Sequence, residues 1–460
     1  MKVGVISLGC DKNRVDSEKV IAKLLSQGYT ITTKESDADI FIINTCAFID
    51  DAKRESIETI LDIGKIKAKN KKLIIIVIGC LAERYGAQVT EDLPEVDCFI
   101  GLGGYDKIDD FIKQKVSEQS VELEERKYSG ENLSEKVGFL NNRVIISNDK
   151  EGVYSCKRVL STPSHYAYLK IADGCDNFCS YCAIPYIRGR YRSYPVDHLL
   201  SEAQELIDEG VKELIIVAQD TTKYGHDIFS EKKLTYLLKE LCNLNLYKVR
   251  LLYAYPELIN EELIELIAFE EKMAKYIDMP LQHINDEVLK KMNRHIRSGQ
   301  IYDLIRRIRN TNPQICIRSS FIVGFPGETS KHFEELKSFI KAGHVDYAGF
   351  FRYSKEEGTV AAKYGNQIAE IIKKKREREL VAIQSKVIVN KHRKYEGIIQ
   401  KVVYEGIDFE KNLFFGRNEF NAPDVDTKVF FTADKTLDIG NVYDVRITDY
   451  GFHLLGEVIN

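Results

Sequence analysis

The stretch HYAYLKIADGCDNFCSYCAIPYIRGRYRS, residues 165–193, decides how this chain is read. It opens on HYAYLKIA, an apolar and aromatic run that reads as a buried strand. Directly after it stand Cys175, Cys179 and Cys182, a C-x3-C-x2-C triplet. Zinc ribbons bring two C-x2-C pairs and four ligands, and ferredoxin-type sites bring four cysteines to a four-iron cluster. Here the motif stops at three, with no fourth Cys or His in the same loop. Three thiolates on a four-iron cluster leave one iron open to a small molecule, as a catalytic cluster requires. The competing reading is a structural zinc site completed by a distant histidine such as His198.

Downstream, ELIIVAQ, VRLLYA, YIDMPL, ICIRSSFIVGF and YAGFFRY alternate with helical patterns. Six or so βα units in about 200 residues suit a barrel or partial barrel, whose chemistry lies at the carboxyl ends of its strands. The triplet follows the first of those strands and falls on that face.

Upstream, KVGVISLG, ADIFIINT and KLIIIVIG are short runs of the kind buried parallel strands use. Amphipathic patterns from Asp16 to Gln27 and from Asp51 to Lys67 lie between them, which predicts a doubly wound α/β sheet. Each run ends in a cysteine: Cys10, Cys46 and Cys80, spaced 36 and 34 residues apart. Those intervals are close to one βαβ unit of about 30 residues or more. Carboxyl ends of parallel strands share one sheet edge, where open α/β sheets hold ligands. Cysteine is a common buried residue, which accounts for one or two of these. Three at the same structural phase predict a shared ligand.

From about Lys115 to Thr162 the chain is polar and charged, beginning with EQSVELEERKYSGENLSEK, and reads as a solvated linker or insertion. The last seventy residues contain IIQKVVYEG, LFFGRN, VFFTAD, VYDVRITDY and LLGEVIN, short strands spaced by turns. They predict a small antiparallel β-barrel of OB type. The expected organisation is therefore a doubly wound α/β domain over 1–115, a linker over 116–160, a partial (β/α) barrel over 161–390 and a closing β-barrel over 391–460.

A length of 460 residues suits about three domains, and 44% hydrophobic with 30% charged residues excludes a disordered chain. The longest apolar run, Leu73 to Ile78, is far short of the roughly 18 residues of a membrane span. The opening MKVGVISLGC lacks the features of a signal peptide, so a cytosolic protein without a membrane partner is expected. Lys and Arg number 66 against 70 Asp and Glu. That balance argues against a surface built for counterion release, and against DNA as a partner. Ten cysteines in a cytosolic chain point to metal or redox chemistry rather than disulfides. Cys98, Cys156, Cys242 and Cys316 match no motif and read as ordinary thiols.

C-x3-C-x2-C after the first strand of a βα barrel resembles the radical S-adenosylmethionine signature. GCDNFCSYCAIPYIRGRYRS is similar to the methylthiotransferase branch of that superfamily. The Cys10, Cys46 and Cys80 set resembles it too, since that branch carries a second four-iron cluster in a preceding α/β domain. The closing β module resembles a TRAM domain. Within the branch, SLGCDKNRVDSE, LSTPSHYAYLKIADGC and VYDVRITDY with LLGE resemble the RimO family, which modifies a ribosomal protein. The tRNA-modifying MiaB family tends instead to a GCQMN-like opening. Asp11, Arg14 and Tyr194 depart from the RimO pattern, and none of them removes a cysteine. From Lys391 to Asn460 there are nine Lys and Arg against twelve Asp and Glu. An acidic module suits a basic ribosomal protein better than phosphate.

The resemblance implies two 4Fe-4S clusters, S-adenosylmethionine, and an electron donor of flavodoxin or ferredoxin type. One S-adenosylmethionine would give its methyl group to a sulfur on the Cys10/Cys46/Cys80 cluster. Another would be cleaved at the Cys175/Cys179/Cys182 cluster to a 5′-deoxyadenosyl radical. That radical would take hydrogen from the β-carbon of an aspartate in small-subunit ribosomal protein twelve, which then captures the methylthio group. The same chemistry on a modified adenosine in tRNA is the alternative.

The resemblance also proposes S-adenosylmethionine contacts. Tyr181 would lie beside the adenine or merely pack the loop. Gln219 and Asp220 end the second barrel strand, and Gln282 and His283 end the fourth. Arg318, on the fifth, would pair with the ligand carboxylate or balance a buried acid. Gly324 and Glu328 belong to GFPGET, similar to the superfamily's glycine motif. Arg188, Arg190 and Arg192 form a basic loop, read as a solvated face or as a substrate contact.

Overall fold

In the computed structural model, residues 1–128, 143–147, 157–229 and 233–459 are described. The first unit runs β1 (Lys2–Ser7), α1 (Asp11–Ser26), β2 (Thr30–Ile31), β3 (Ile40–Thr45), α2 (Asp50–Lys69), β4 (Ile74–Gly79), α3 (Cys80–Val89), β5 (Cys98–Ile100), α4 (Ile108–Tyr128) and β6 (Val144–Ile145). Every position of β3 and β4 is buried. Strands covered on both faces need unbroken apolar sequence, and IFIINT and IIIVIG supply it. The sheet is parallel throughout, in the order β2-β1-β3-β4-β5-β6. It winds outward in opposite directions from the β1–β3 pair, so the ligand-binding switch point lies at the carboxyl ends of those two strands.

This unit comprises Met1–Ser161 together with Ala183–Gly189. The short helix α5 (Ile184–Ile187) belongs to it, and Ala183 and Ile187 join Ile43, Val77 and Leu81 in one buried cluster. Helix α4 continues through EQSVELEERKY to Tyr128, a segment whose polarity suggested linker. Glu, Gln and Lys are strong helix formers, so charge alone did not mark the end of the element. Cys156 lies outside the described residues.

The second unit comprises Thr162–Cys182 and Arg190–Asn460. It contains β7 (Tyr166–Lys170), β8 (Ala172–Asp173), β9 (Arg192–Ser193), α6 (Val196–Asp208), β10 (Glu213–Val217), α7 (His226–Phe229), α8 (Leu234–Asn243), β11 (Lys248–Leu251), α9 (Glu261–Phe269), β12 (Met273–Asp278), α10 (Asp286–Lys291), α11 (Ser298–Thr311), β13 (Cys316–Val323), α12 (Ser330–Lys341), β14 (Tyr347–Arg352) and α13 (Glu370–His392). Six strands lie side by side in chain order, β7-β10-β11-β12-β13-β14, all parallel. The helices cover the sheet with stripes at three- and four-residue spacing, such as Leu199, Ala203 and Leu206 of α6. These are the six strands that the sequence predicts.

The chain ends in β15 (Ile399–Asp408), β16 (Leu413–Arg417), β17 (Val429–Thr432), β18 (Val442–Tyr450) and β19 (Leu454–Val458), a closed barrel in the order β15-β16-β17-β19-β18. Val402, Tyr404, Val429, Phe431, Val445, Ile447 and Leu454 fill it. Closure leaves no strand edge to aggregate. The barrel meets the amino ends of the parallel strands through buried charge. Glu213, first residue of β10, accepts from Arg250 Nε at 2.6 Å and from Arg417 Nη2 of the barrel at 2.9 Å. Glu405 accepts from Arg417 Nε at 2.7 Å. This leaves the carboxyl ends of the strands, where the cysteine triplet begins, free of the barrel.

Candidate metal centres

Two sets of cysteines occupy strand ends, one in each unit. In the first unit, Cys10 follows β1, Cys46 follows β3 and Cys80 begins α3 directly after β4. Since β1, β3 and β4 are adjacent and parallel, three residues far apart in sequence reach one edge. Their approach depends on glycine. Gly9 has φ +90°, and a Cβ there would lie 2.7 Å from the Cβ of Cys46. Gly79 has φ +92°, and a Cβ there would strike Asn44 Oδ1 at 2.3 Å. Only residues without a side chain let the chain turn so tightly after β1 and β4.

Polar side chains brace that edge. Asn13 Nδ2 donates to the carbonyls of Leu8, at 3.2 Å, and Thr45, at 3.0 Å, tying the turns after β1 and β3 together. Ser56 Oγ accepts from the Cys46 N–H at 3.1 Å and donates to its carbonyl at 3.0 Å. Burial, and then the neighbouring Cys80 and Cys10, push the Cys46 thiol up to about 12. Burial pushes Cys80 up to about 11 against the opposing pull of Arg188. These mutual effects place all three sulfurs in one neighbourhood. Thiols so raised are protonated, and a metal must displace their protons as it binds.

In the second unit, the loop carrying Cys175, Cys179 and Cys182 leaves β7 and is pinned at its base by pairing of β8 with β9. Asn177 Nδ2 donates to Asp220 at 2.8 Å, and Ser180 Oγ donates to the Lys291 carbonyl at 2.7 Å. Phe178, between them, is held at φ +46°, a left-handed conformation costly for a bulky residue. Cys175 and Cys179 are buried and Cys182 is half-buried. Burial pushes the Cys175 thiol up to about 12.

The proposed cofactor contacts separate into two groups. Gln219, two residues beyond β10, has its Oε1 buried and without a hydrogen-bond partner among the described residues. Gln282 follows β12 at φ +71°, and Tyr181 is half-buried among Val288, Met292, Phe325, Tyr353 and Ala361. Such orphaned and strained groups at strand ends suit a ligand-binding face. Other positions are already engaged within the protein. Asp220 accepts from Thr222 and Asn177. Glu328 Oε2 accepts the Gly324 N–H at 2.7 Å, and its Oε1 accepts from Arg376 at 2.6 Å, closing the GFPGET turn on itself. Arg318 pairs with Asp278 at 2.9 Å and with Asp426 of the barrel at 3.5 Å, so its guanidinium balances two buried acids. His283 falls between the groups: it is fully buried, pushed down to about 3 by that burial, its Nδ1 accepts the Asn285 N–H, and its Nε2 has no hydrogen-bond partner among the described residues.

Residues the motif reading passed over stand beside the triplet. Tyr255, four residues after β11, places its hydroxyl 3.2 Å from Cys179 Sγ. Buried Arg294 stacks on that ring, with its guanidinium carbon 3.7 Å from the ring centre. Tyr255 lies just past a predicted strand end, which was the available signal; Arg294 gave none. The three arginines after the triplet also diverge. Arg190 is 73% exposed and Arg192 half-buried, whereas Arg188 is 1% exposed and belongs to the first unit. The solvated reading therefore fails for Arg188: its hydrogen bonds to Asn13 and Asp16 compensate burial of the charge.

Among the described residues no three His, Cys, Asp or Glu groups stand close enough to ligate one ion. Ligands of a four-iron cluster take different irons and stand further apart than the ligands of one zinc. His198, the residue a zinc site would have needed, faces Glu202 at 3.5 Å on its own helix. Three thiols at a tight glycine turn, and three on a braced loop beside an orphaned acceptor, fit iron–sulfur clusters and a small polar ligand.

Comparison with known proteins agrees with this architecture. Residues 2–101 match the uncharacterized protein family UPF0004, residues 169–340 the radical SAM superfamily, and residues 397–459 the TRAM domain. A radical S-adenosylmethionine methyltransferase, TsrM, from Kitasatospora setae, solved with cobalamin and a 4Fe-4S cluster, shares the fold at TM-score 0.52 and 13% identity, over 87% of this chain and 80% of that one. Fold and motif together define a radical S-adenosylmethionine enzyme, a class that works through iron–sulfur and S-adenosylmethionine. The chain belongs to the RimO family of ribosomal protein uS12 methylthiotransferases. It is 46% identical to the RimO protein of Thermoanaerobacter sp. (strain X514) over 457 residues, covering 99% of each chain. It is 42% identical to that of Clostridium acetobutylicum, covering 100% of this chain and 98% of the relative. No helix of the described residues is long and apolar enough to cross a membrane.

Proposed function

We propose that this enzyme adds a methylthio group to the β-carbon of an aspartate in ribosomal protein uS12, in the cytoplasm, with electrons from a flavodoxin- or ferredoxin-type donor. The observation that carries the reading is the pair of cysteine centres. Cys10, Cys46 and Cys80 stand at the carboxyl ends of three neighbouring parallel strands of one sheet, and Cys175, Cys179 and Cys182 follow the first strand of another. A radical enzyme that only cleaves S-adenosylmethionine needs the second set alone; insertion of sulfur gives the first set a purpose. In this assignment residues 1–115 hold the auxiliary 4Fe-4S cluster, 116–160 link, 161–390 hold the radical cluster, and 391–460 form the closing module.

When bound, the two clusters and S-adenosylmethionine supply the sulfur and the radical that no side-chain base provides. The chain's part is to hold and orient them. Cys175, Cys179 and Cys182 ligate three irons and leave one for S-adenosylmethionine. Tyr181, Gln219 and Gln282 line the ligand face, with the Gln219 carbonyl oxygen accepting a donor of the ligand. Asp220 positions the cysteine loop through Asn177, while Gly324 and Glu328 fix the turn beneath the ligand. Arg318 acts through Asp278, keeping the end of β12 in place for Gln282.

Iron and sulfide per chain, measured after anaerobic reconstitution beside the Cys175→Ala/Cys179→Ala/Cys182→Ala variant, test the assignment. About eight irons falling to about four are expected. About four falling to none would remove the auxiliary cluster and, with it, sulfur insertion. Incubation with purified uS12 and with tRNA then decides the substrate: methylthiolation of the protein alone is expected, and modification of tRNA alone would overturn it.

A further inference from the structure

Arg188 is out of place for a solvent-facing loop arginine. It lies six residues beyond Cys182, yet it packs in the first unit and is 1% exposed. Its Nη2 donates to Asn13 Oδ1 at 2.5 Å and to Asp16 Oδ2 at 3.1 Å. Asn13 is the residue that ties the turns after β1 and β3 together, and its Oδ1 also lies 3.8 Å from Cys80 Sγ. The guanidinium's charge opposes the upward push of burial on the Cys80 and Cys46 thiols. One buried cation therefore grips the brace of the cysteine edge at the same Asn13 oxygen that Cys80 approaches.

A buried guanidinium without function is costly, and a structural arginine could have satisfied itself on backbone carbonyls. This one is spent instead on groups that surround three thiols. Ligation turns those thiols into thiolates, and at buried Cys46 and Cys80 that adds negative charge poorly screened by solvent. Net charge and hydrogen bonds to sulfur are two of the levers that set an iron–sulfur reduction potential.

We propose that Arg188 is a positioning residue of the Cys10/Cys46/Cys80 centre, raising the potential of its cluster by its buried charge and by its grip on Asn13, the residue that braces the cysteine edge. Asp16, the carboxylate paired with Arg188, moderates that effect. The inference rests on the auxiliary cluster assigned above. Segment 183–189 thus has a role beyond joining two strands: it delivers a cation to the sulfur-bearing centre.

The test uses the full-length Cys175→Ala/Cys179→Ala/Cys182→Ala protein, in which any cluster is the auxiliary one. Iron is counted first, and the cluster is then titrated by EPR-monitored reduction. Relative to this background, Arg188→Gln is expected to move the midpoint negative by about tenfold in the reduction equilibrium, about 59 mV for one electron. Arg188→Lys, which keeps the charge and loses the planar fork, is expected to recover most of that shift. Asp16→Asn is expected to move the midpoint positive. About four irons with midpoints indifferent to all three substitutions would overturn the role of Arg188 while leaving the cluster intact. No iron in the background would overturn the cluster itself. If Arg188→Gln fails to fold, Asp16→Asn decides: a positive shift supports the proposal and an unmoved midpoint overturns it.

Discussion

Gly9 and Cys46 are pressed together across the β1–β3 pair: a Cβ built on Gly9 would lie 2.7 Å from the Cys46 Cβ and 3.1 Å from its sulfur. Neither residue can give way, because Cys46 is held on both backbone groups by Ser56. Gly9→Ala should therefore displace the Cys46 sulfur. A non-glycine residue at φ +90° adds a strain of about 1–2 kcal/mol. We expect iron per chain to fall from about eight to about four. The Cys175→Ala/Cys179→Ala/Cys182→Ala protein carrying Gly9→Ala should hold almost none.

Tyr255 and Cys179 define a second test. The Tyr255 hydroxyl lies 3.2 Å from Cys179 Sγ, and in the proposed cluster it would donate to that thiolate. A hydrogen bond to a charged acceptor contributes about 1.5 kcal/mol, about tenfold in an equilibrium. Tyr255→Phe should lower the midpoint of the Cys175/Cys179/Cys182 cluster accordingly and slow reductive cleavage of S-adenosylmethionine. Iron content should stay unchanged. Chromatographic measurement of 5′-deoxyadenosine, beside a redox titration, reads both effects.

Gln282 holds an unfavourable backbone conformation, φ +71°, at the end of β12. Gln282→Gly removes the strain but adds unfolded-state entropy, and the two changes are each about 1 kcal/mol. Thermal stability should then shift little, while the affinity for S-adenosylmethionine falls. Gln282→Ala keeps the strain and should lose the same affinity. Calorimetric titration of both variants separates the side chain's contribution from the backbone's; undiminished affinity in both would remove Gln282 from the ligand face.

The buried charges between the parallel sheet and the closing barrel make stability depend on acid. Burial alone would raise the Glu213 carboxyl, but Arg250 and Arg417 overcome it and hold the group down at about 2, below its ordinary 4.5. A depressed carboxyl stabilises the fold above its unfolded value and loses that contribution as pH falls through the folded one. The window therefore runs from about 4.5 down to about 2, with a contribution of order 3 kcal/mol. Glu213→Gln strands two buried arginines, should cost about 3–5 kcal/mol near neutral pH, and should flatten the acid limb of urea-melt stability.

Much of the fold was legible in the chain itself. IFIINT and IIIVIG read as strands covered on both faces, and all their residues are buried. The alternation of VYDVRITDY, with Val445 and Ile447 pointing inward, read as a barrel strand and became β18. The polar run after Lys115 gave no sign of its helix, because EQSVELEERKY lacks an apolar stripe and yet continues α4. Of the proposed cofactor contacts, Gln219 has an acceptor without a partner among the described residues, whereas Asp220, Glu328 and Arg318 are spent on partners far away in sequence. Spacing marks a strand end but carries no information about what a side chain meets there.

The sequence by itself determined the main apolar strands of both parallel sheets, the closing barrel and the phase of six cysteines, because periodicity and local spacing are properties of the chain. Tertiary structure alone decided which polar groups were left for a ligand and which were consumed. Arg188, Arg190 and Arg192 make the point most plainly: alternate residues of one short basic stretch, one buried beside Cys80, one in solvent and one between. A charge is buried only where distant acceptors such as Asn13 and Asp16 compensate its desolvation, and those acceptors are brought to it by the fold.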